Sequence, residues 1–293
     1  MDKAKKTTWS SVIKKNFYFI GLLFLLFLSG CGERTFKKSD FLLGTQVEIT
    51  VIEKNRPKAR KALSLAFREI KKKEKSLSYY QAGNDLYRIN KSAGKWVKIS
   101  PELLSLLKMA LFYSQLTDGA FNPAYSSGGY KKIIIEEKGR RVKLAEEGMR
   151  LDLGGIAKGY IVDETVKLLQ KEGIKKGVVN AGGDLKVFGE KIYSIAIRNP
   201  FHKKEIFKTI KVKNQAVCTS GNYERPGHII NFRTGKSACE LASVTIIAPE
   251  AVTADGLATA LIVMGREKGE KILQKLNLSY FLIDSEGNVT TNL

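Results

Sequence analysis

The amino-acid sequence predicts an α+β fold, with mixed and mostly antiparallel sheets beside helices. Two observations carry this. Between Gly177 and Ile247 short strand-like segments follow one another with no helical stripe between them, a pattern that antiparallel pairing serves. Elsewhere, helical stripes come in blocks and do not alternate steadily with strands, which argues against a regular doubly wound sheet.

The first residues stand apart from the fold. Lys3, Lys5, Lys6, Lys14 and Lys15 precede an apolar run from Phe17 to Leu28 that ends in Leu28-Ser29-Gly30-Cys31. A basic region, a short apolar stretch and small residues make an export signal, and the run is short for a membrane span. The placement of Cys31 resembles a bacterial lipoprotein signal, in which the cysteine is lipidated and becomes the new N-terminus. The division expected is residues 1–30 as signal peptide and 31–293 as a single catalytic domain. The location expected is extracytoplasmic and membrane-anchored, on the periplasmic side of the cell membrane or at the cell surface. An uncleaved anchor helix is the alternative. Residues 1–30 hold five lysines and one aspartate, so a cleaved chain keeps +17 of the formal +21. That charge favours anionic partners, but no nucleic-acid-binding module is recognisable and none is expected. Cys218 and Cys239 lack any CxxC or Cys/His company that would suggest zinc. Whether they pair is not decided by the sequence.

Beyond Cys31 the chain punctuates itself. Phe41 to Ile52 alternates as a strand, interrupted by Gly44-Thr45. Pro57 opens a helix whose Ala62, Leu63, Ala66, Phe67 and Ile70 form one face. After Ser76–Tyr80, Gly83-Asn84-Asp85 reads as a loop. Ser100-Pro101 supplies an N-cap and a first-turn proline for a helix reaching about Thr117, stopped by Asp118-Gly119-Ala120-Phe121-Asn122-Pro123. Strand-like residues then run up to Leu153, with Leu151-Asp152 ending a strand. Downstream, strands are expected at Gly177–Asn180, near Val187, and at Ile192–Ile197, Ile206–Val212, Ala216–Thr219, His228–Asn231 and Val244–Ile247. Helices at Ala251–Met264 and Glu267–Lys275 and a strand at Tyr280–Ile283 complete the chain.

One stretch organises the chemistry. Leu153-Gly154-Gly155 leads into a helix whose Ile161, Val162, Thr165, Val166 and Leu169 share a stripe. Such a turn aims free N–H groups and the positive end of a helix dipole at whatever lies above it, which suits an anion. Lys158 adds a charge one turn in. The Walker and G-x-G-x-x-G spacings are both absent, and an ordinary connection is the plainer reading. A second pattern is Asp255 with Thr259, four residues apart on one helix face. A carboxylate and a hydroxyl are hard oxygens that suit Mg²⁺. Against this stands a surface aspartate with a threonine bonded back to its own helix. The third is His228, one of only two histidines, between an aromatic loop and Arg233-Thr234-Gly235. Histidine can transfer protons near neutral pH, although a lone strand histidine is more often structural.

Eight segments in order resemble the ApbE-type FAD:protein FMN transferases. They are Leu43-Gly44-Thr45, Ser78 with Tyr80, Thr117–Pro123, Asp152–Asp163, Asn180–Asp184, Thr219–Arg225, His228–Gly235 and Ala254–Ala260. The resemblance implies two lobes around a flavin cleft, with FAD as substrate and Mg²⁺ as cofactor. Leu43, Tyr80, Ala120, Phe121, Asn122, Asp152, Lys158 and Ile230 would line the dinucleotide site. The Gly155 carbonyl, Asp255 and Thr259 would hold Mg²⁺, and His228 and Asp255 would be catalytic. The implied reaction transfers FMN to a threonine hydroxyl of an acceptor, either a subunit of a membrane redox complex or an exported flavoprotein, and releases AMP. This chain departs from the family in carrying Leu43 for methionine, Asn122 for aspartate and Asn231-Phe232 for Asp-Pro. The neutral Asn231 leaves one less charge near His228. An Mg²⁺-dependent FAD pyrophosphatase has the same site chemistry. A non-catalytic FAD-binding lipoprotein is a third reading, against which Asp255 and Thr259 speak.

Overall fold

The computed structural model describes residues 32–124, 129–202, 204–221, 229–231 and 235–293. β1 (Arg34–Leu42) and β2 (Thr45–Glu53) form an antiparallel hairpin with Leu42 opposite Thr45. The expected single interrupted strand is therefore two. Leu43 and Gly44 form the loop with φ of +56° and +68°, the left-handed pair that a two-residue hairpin of this twist needs. The Leu43 N–H donates to Glu74 at 2.6 Å, which ties the turn to the next helix.

α1 (Arg56–Leu77) starts where Asn55 accepts from the Lys58 N–H and buries the Ala62–Ile70 stripe. α2 (Asp85–Lys91) starts at the end of the expected Gly83-Asn84-Asp85 loop, where no helix was anticipated. Asn84 makes it, accepting from the Tyr87 N–H while its amide donates to the Lys75 and Ser78 carbonyls at the end of α1. β3 (Val97–Lys98) precedes α3 (Pro101–Leu116), capped by Ser100 as expected. β4 (Ile133–Glu136) and β5 (Arg141–Leu144) join β3 in a three-stranded sheet with β5 central. Residues 151–153 are no strand. Asn90 of α2 takes both backbone groups of Leu151, at 2.7 and 2.9 Å, in place of a ladder partner.

α4 (Gly154–Lys171) begins at the first glycine of the pair. Then come β6 (Gly177–Ala181), β7 (Asp184–Phe188), β8 (Tyr193–Arg198), β9 (Ile206–Val212), β10 (Ala216–Ser220), β11 (Ile230–Asn231), β12 (Lys236–Ser237) and β13 (Leu241–Ala248). α5 (Ala251–Met264), α6 (Arg266–Lys275), β14 (Ser279–Asp284) and β15 (Val289–Thr291) follow. The large sheet has the order β1-β2-β6-β7-β10-β13-β14-β15. Its pairings are antiparallel throughout among the described residues.

Strict alternation gives this sheet two buried faces. Ala216, Cys218, Ile246, Tyr280 and Leu282 point into the main core with α1, α4 and α5. Val217, Ile247, Phe281 and Ile283, with Leu185 and Val187, point to the other face, where Ile197, Ile210 and Val212 of the β8–β9 ribbon cover them. All of these elements and both cores lie within residues 34–291. No described helix is long and apolar enough to cross a membrane. α5 is buried nearly all round, as its almost uniformly apolar sequence dictates, which makes its one buried carboxylate conspicuous.

Candidate active site

The site is built where α4 crosses α5. Gly159 permits the close approach, since a methyl there would lie 2.3 Å from the Ala251 carbonyl oxygen and 2.7 Å from Asp255 Cβ. Gly159→Ala is accordingly expected to push the helices apart and destabilise the fold by about 1–3 kcal/mol. A urea midpoint matching that of the unaltered chain would contradict this packing account.

With the helices this close, Asp255, only 2% exposed, accepts the Gly159 N–H on Oδ2 at 2.8 Å. In a regular helix that N–H serves the carbonyl four residues back, Gly155. The Gly155 carbonyl receives the Thr259 hydroxyl from α5 at 3.2 Å. Thr259 is therefore not merely bonded back to its own helix, nor is Asp255 a surface residue. The plainer reading of this pair fails on both counts. Ser220, at the end of β10, stands 3.4 Å from the Thr259 hydroxyl.

Lys158 forms an ion pair with Asp184, the residue just past the Gly182-Gly183 turn between β6 and β7. Asp184 is buried and Lys158 keeps 35% of its side-chain surface. Burial disfavours the Lys158 charge, but Asp184 and Asp255 outweigh it and hold the ammonium protonated far above neutrality. Asp255 is pushed up to about 7, first by burial and then by the Asp184 charge, against the pull of Lys158 and the Gly159 N–H. Burial also raises the Cys218 thiol, beside the same carboxylates, so it is held neutral and unreactive. Cys218 and Cys239 are both free.

Most of the remaining expected residues adjoin this cluster. A Cβ on Gly155 would lie 3.1 Å from Thr259 and 3.2 Å from the buried ring of Phe121, which places the Ala120–Asn122 turn against the start of α4. The Thr117 hydroxyl accepts the Phe121 N–H and fixes that turn. Asp152 donates its N–H to the Pro123 carbonyl at 2.7 Å and accepts the Gly154 N–H on its carboxylate at 2.7 Å. The first N–H of α4 is thus already engaged. Burial raises the Asp152 pKa in spite of that hydrogen bond. The Leu43 turn lies at the same end of the sheet, because Thr45 packs against Gly182. Tyr80, 79% exposed, lies beyond the end of α1 with its hydroxyl on that of Tyr79, and Ile230 is exposed on β11. Among the described residues, no hydrogen bond or ion pair ties either of them to the Asp255 cluster. His228 and Cys31 lie outside the described residues.

Three contributors carried no role in the sequence. Asp184 and Ser220 were visible only as members of matching segments. Asp163 was visible only as the end of the Gly-Gly stretch. Asp163 is buried on α4 and accepts the Ala251 and Val252 N–H groups at 3.1 and 2.9 Å, capping α5 from outside, while pairing with Lys186 at 2.7 Å. A carboxylate directly after a Gly-Gly turn was the available signal for Asp184.

These residues fit a hard divalent cation. Among the described residues no three His, Cys, Asp or Glu side chains converge as a metal site, so one carboxylate must act with neutral oxygens. The 3.2 Å between the Thr259 hydroxyl and the Gly155 carbonyl is close to the ~3 Å edge of an octahedron with Mg²⁺–O bonds of about 2.1 Å. Two carboxylates face one lysine here, and Asp184 Oδ1 is buried with no hydrogen-bond partner among the described residues. A second positive charge would relieve both conditions. The Asn122 amide nitrogen is likewise buried without a partner among the described residues.

The chain as a whole is similar to proteins of one family. The model of the ApbE family matches residues 43–128 and 124–282. The FAD:protein FMN transferase of Treponema pallidum is 29% identical over 308 residues, spanning 85% of this chain and 85% of that protein. That of Klebsiella pneumoniae is 29% identical over 274 residues, spanning 81% and 85%. Among solved structures, the ApbE protein of Thermotoga maritima superposes with a TM-score of 0.82 at 29% identity, over 88% of this chain and 97% of that one. The flavin transferase ApbE of Vibrio cholerae gives 0.79 at 24% identity, over 89% and 97%, a likeness of fold. With a family model covering most of its length and the same fold in its relatives, the chain belongs to the ApbE family.

Proposed function

We propose that this chain is an Mg²⁺-dependent FAD:protein FMN transferase. In this reading it is anchored outside the cytoplasm through lipid on Cys31 and holds FAD in a cleft between two lobes. The acceptor is a threonine of a membrane redox subunit or an exported flavoprotein. The observation that carries the reading is the buried Asp255, with Thr259 turned onto the Gly155 carbonyl of the neighbouring helix.

Gly155, Asp255 and Thr259 would hold Mg²⁺, which supplies charge neutralisation at the pyrophosphate oxygens. The chain's own residues prepare the rest. Lys158 stays protonated beside Asp184 and presents a fixed cation to the phosphates. Leu43, Tyr80, Ala120, Phe121, Asn122, Asp152 and Ile230 would line the dinucleotide, and the unpartnered Asn122 amide is free to donate to it. The acceptor threonine oxygen bonds to the flavin-side phosphorus, the bond from that phosphorus to the bridging oxygen breaks, and AMP leaves with that oxygen. His228 takes the threonine proton.

His228→Ala is expected to slow transfer on the order of 10²–10⁴-fold, the usual scale of general acid–base catalysis, with FAD affinity retained. Joint loss of binding and rate would assign it a structural part. The reaction itself is tested by incubating the protein with FAD and Mg²⁺, with and without a flavoprotein acceptor. Transfer yields a covalently fluorescent acceptor heavier by one FMN, and little free FMN when the acceptor is absent. Rapid FMN and AMP release with no labelled acceptor would make the chain a pyrophosphatase.

A further inference from the structure

A cavity of about 530 Å³ opens between β1 and the first turns of α1, on elements that carry none of the residues assigned above. Five cations line it, Arg34, Lys37, Lys38, Arg56 and Arg60, together with the apolar Phe36 and Leu63. The convergence follows from two periodicities. Arg34, Phe36 and Lys38 alternate onto one face of β1, while Arg56, Arg60 and Leu63 lie on one stripe of α1. Among the described residues no carboxylate lines the cavity. Lys37 pairs with Glu48 at 2.6 Å, and Lys38 stands over the Phe67 ring, 5.0 Å from its centroid. No ion pair to Arg34, Arg56 or Arg60 occurs among the described residues. Three guanidinium forks directed to one concavity repel each other, and they match the oxygens of a phosphate. The apolar residues beside them suit a group that joins a phosphate to hydrocarbon. Arg34 lies three residues after Cys31, within about 11 Å along even a fully extended chain.

We propose that this cavity docks the phosphate headgroup of an anionic phospholipid in the membrane that holds the protein. The proposal rests on the anchored reading for its choice of lipid over a free anion. The three arginines that line the cavity stand without it. Lipid on Cys31 brings the cavity to headgroup level, and a headgroup seated there fixes how the domain stands on the bilayer.

The test uses the mature polypeptide 31–293 made without lipid, with vesicles of phosphatidylglycerol or of phosphatidylcholine. Binding to phosphatidylglycerol is expected to exceed binding to phosphatidylcholine. Arg56→Gln with Arg60→Gln is expected to weaken it about 25-fold, the scale of two membrane-facing cations. Lys268→Gln with Lys275→Gln removes the same charge from exposed positions on α6 and should change it less than about threefold. Equal losses in the two double variants would reduce the effect to diffuse net charge and overturn the proposal. Binding of inorganic phosphate without preference for phosphatidylglycerol vesicles would also overturn it. The mass of the N-terminal peptide from cells reports the anchor separately. An unlipidated Cys31 with vesicle binding intact would remove the anchor and leave the docking site standing.

Discussion

Asp255→Ala is expected to lower FAD-dependent transfer on the order of 10³-fold, about 4 kcal/mol of transition-state stabilisation, while leaving the fold as stable as before or more so. The two effects have one origin. Asp255 is buried beside Asp184, and its ionised form is held against both desolvation and like charge. Alanine removes that penalty together with the only carboxylate of the proposed Mg²⁺ set. The Gly159 N–H that loses this acceptor keeps the Gly155 carbonyl, its regular partner within the helix. Rates measured across a range of Mg²⁺ concentrations, with thermal unfolding of the same samples, check both halves. Normal turnover at low Mg²⁺ would remove Asp255 from the site. A large drop in melting temperature would mean the carboxylate is structural.

Asp163→Ala should behave in the opposite way, although it also deletes a buried aspartate at the α4–α5 crossing. Here the carboxylate is fully engaged, by two amide donors at the start of α5 and by Lys186. Removing it strands a largely buried ammonium and uncaps a buried helix. The expected loss is about 3–5 kcal/mol, the scale of breaking one side of a buried ion pair. Asp163→Asn should fall between, because an amide oxygen still accepts from the helix but offers Lys186 no charge. Urea unfolding of both variants checks the order. A stability change under about 1 kcal/mol for the alanine variant would show that α5 caps itself.

What could be read in advance was what depends on near neighbours in the chain. α1, α3 and α5 follow from their stripes and caps, and Asp255 and Thr259 share a face because four residues make about one turn. The mixed order of strands and helices gave the antiparallel sheet. The pairing of Lys158 with Asp184 spans 26 residues and depends on which turn the sheet brings over α4, which no local pattern encodes. The hold of Asn90 on Leu151 spans 61, so a segment that reads as a strand is pinned by a side chain instead. α2 escaped because seven residues are too few for a stripe to show, and its cap at Asn84 reads equally as a turn. The contact of the Thr259 hydroxyl with the Gly155 carbonyl was hidden for the same reason, since it requires two helices to touch at Gly159.

β1 also sets a distance. Its nine residues, at about 3.3 Å each, span roughly 30 Å, with Arg34 at one end and the Leu43 turn, beside Gly182 and the Asp184 pair, at the other. Were Cys31 held in the bilayer as proposed, the strand would work as a stalk that lifts the chemistry as far as about 30 Å above the lipid surface. An acceptor would then have to offer its threonine at that height. Subunits with a folded domain projecting from the membrane satisfy this, while a loop that barely clears the headgroups would be passed over, whatever its sequence.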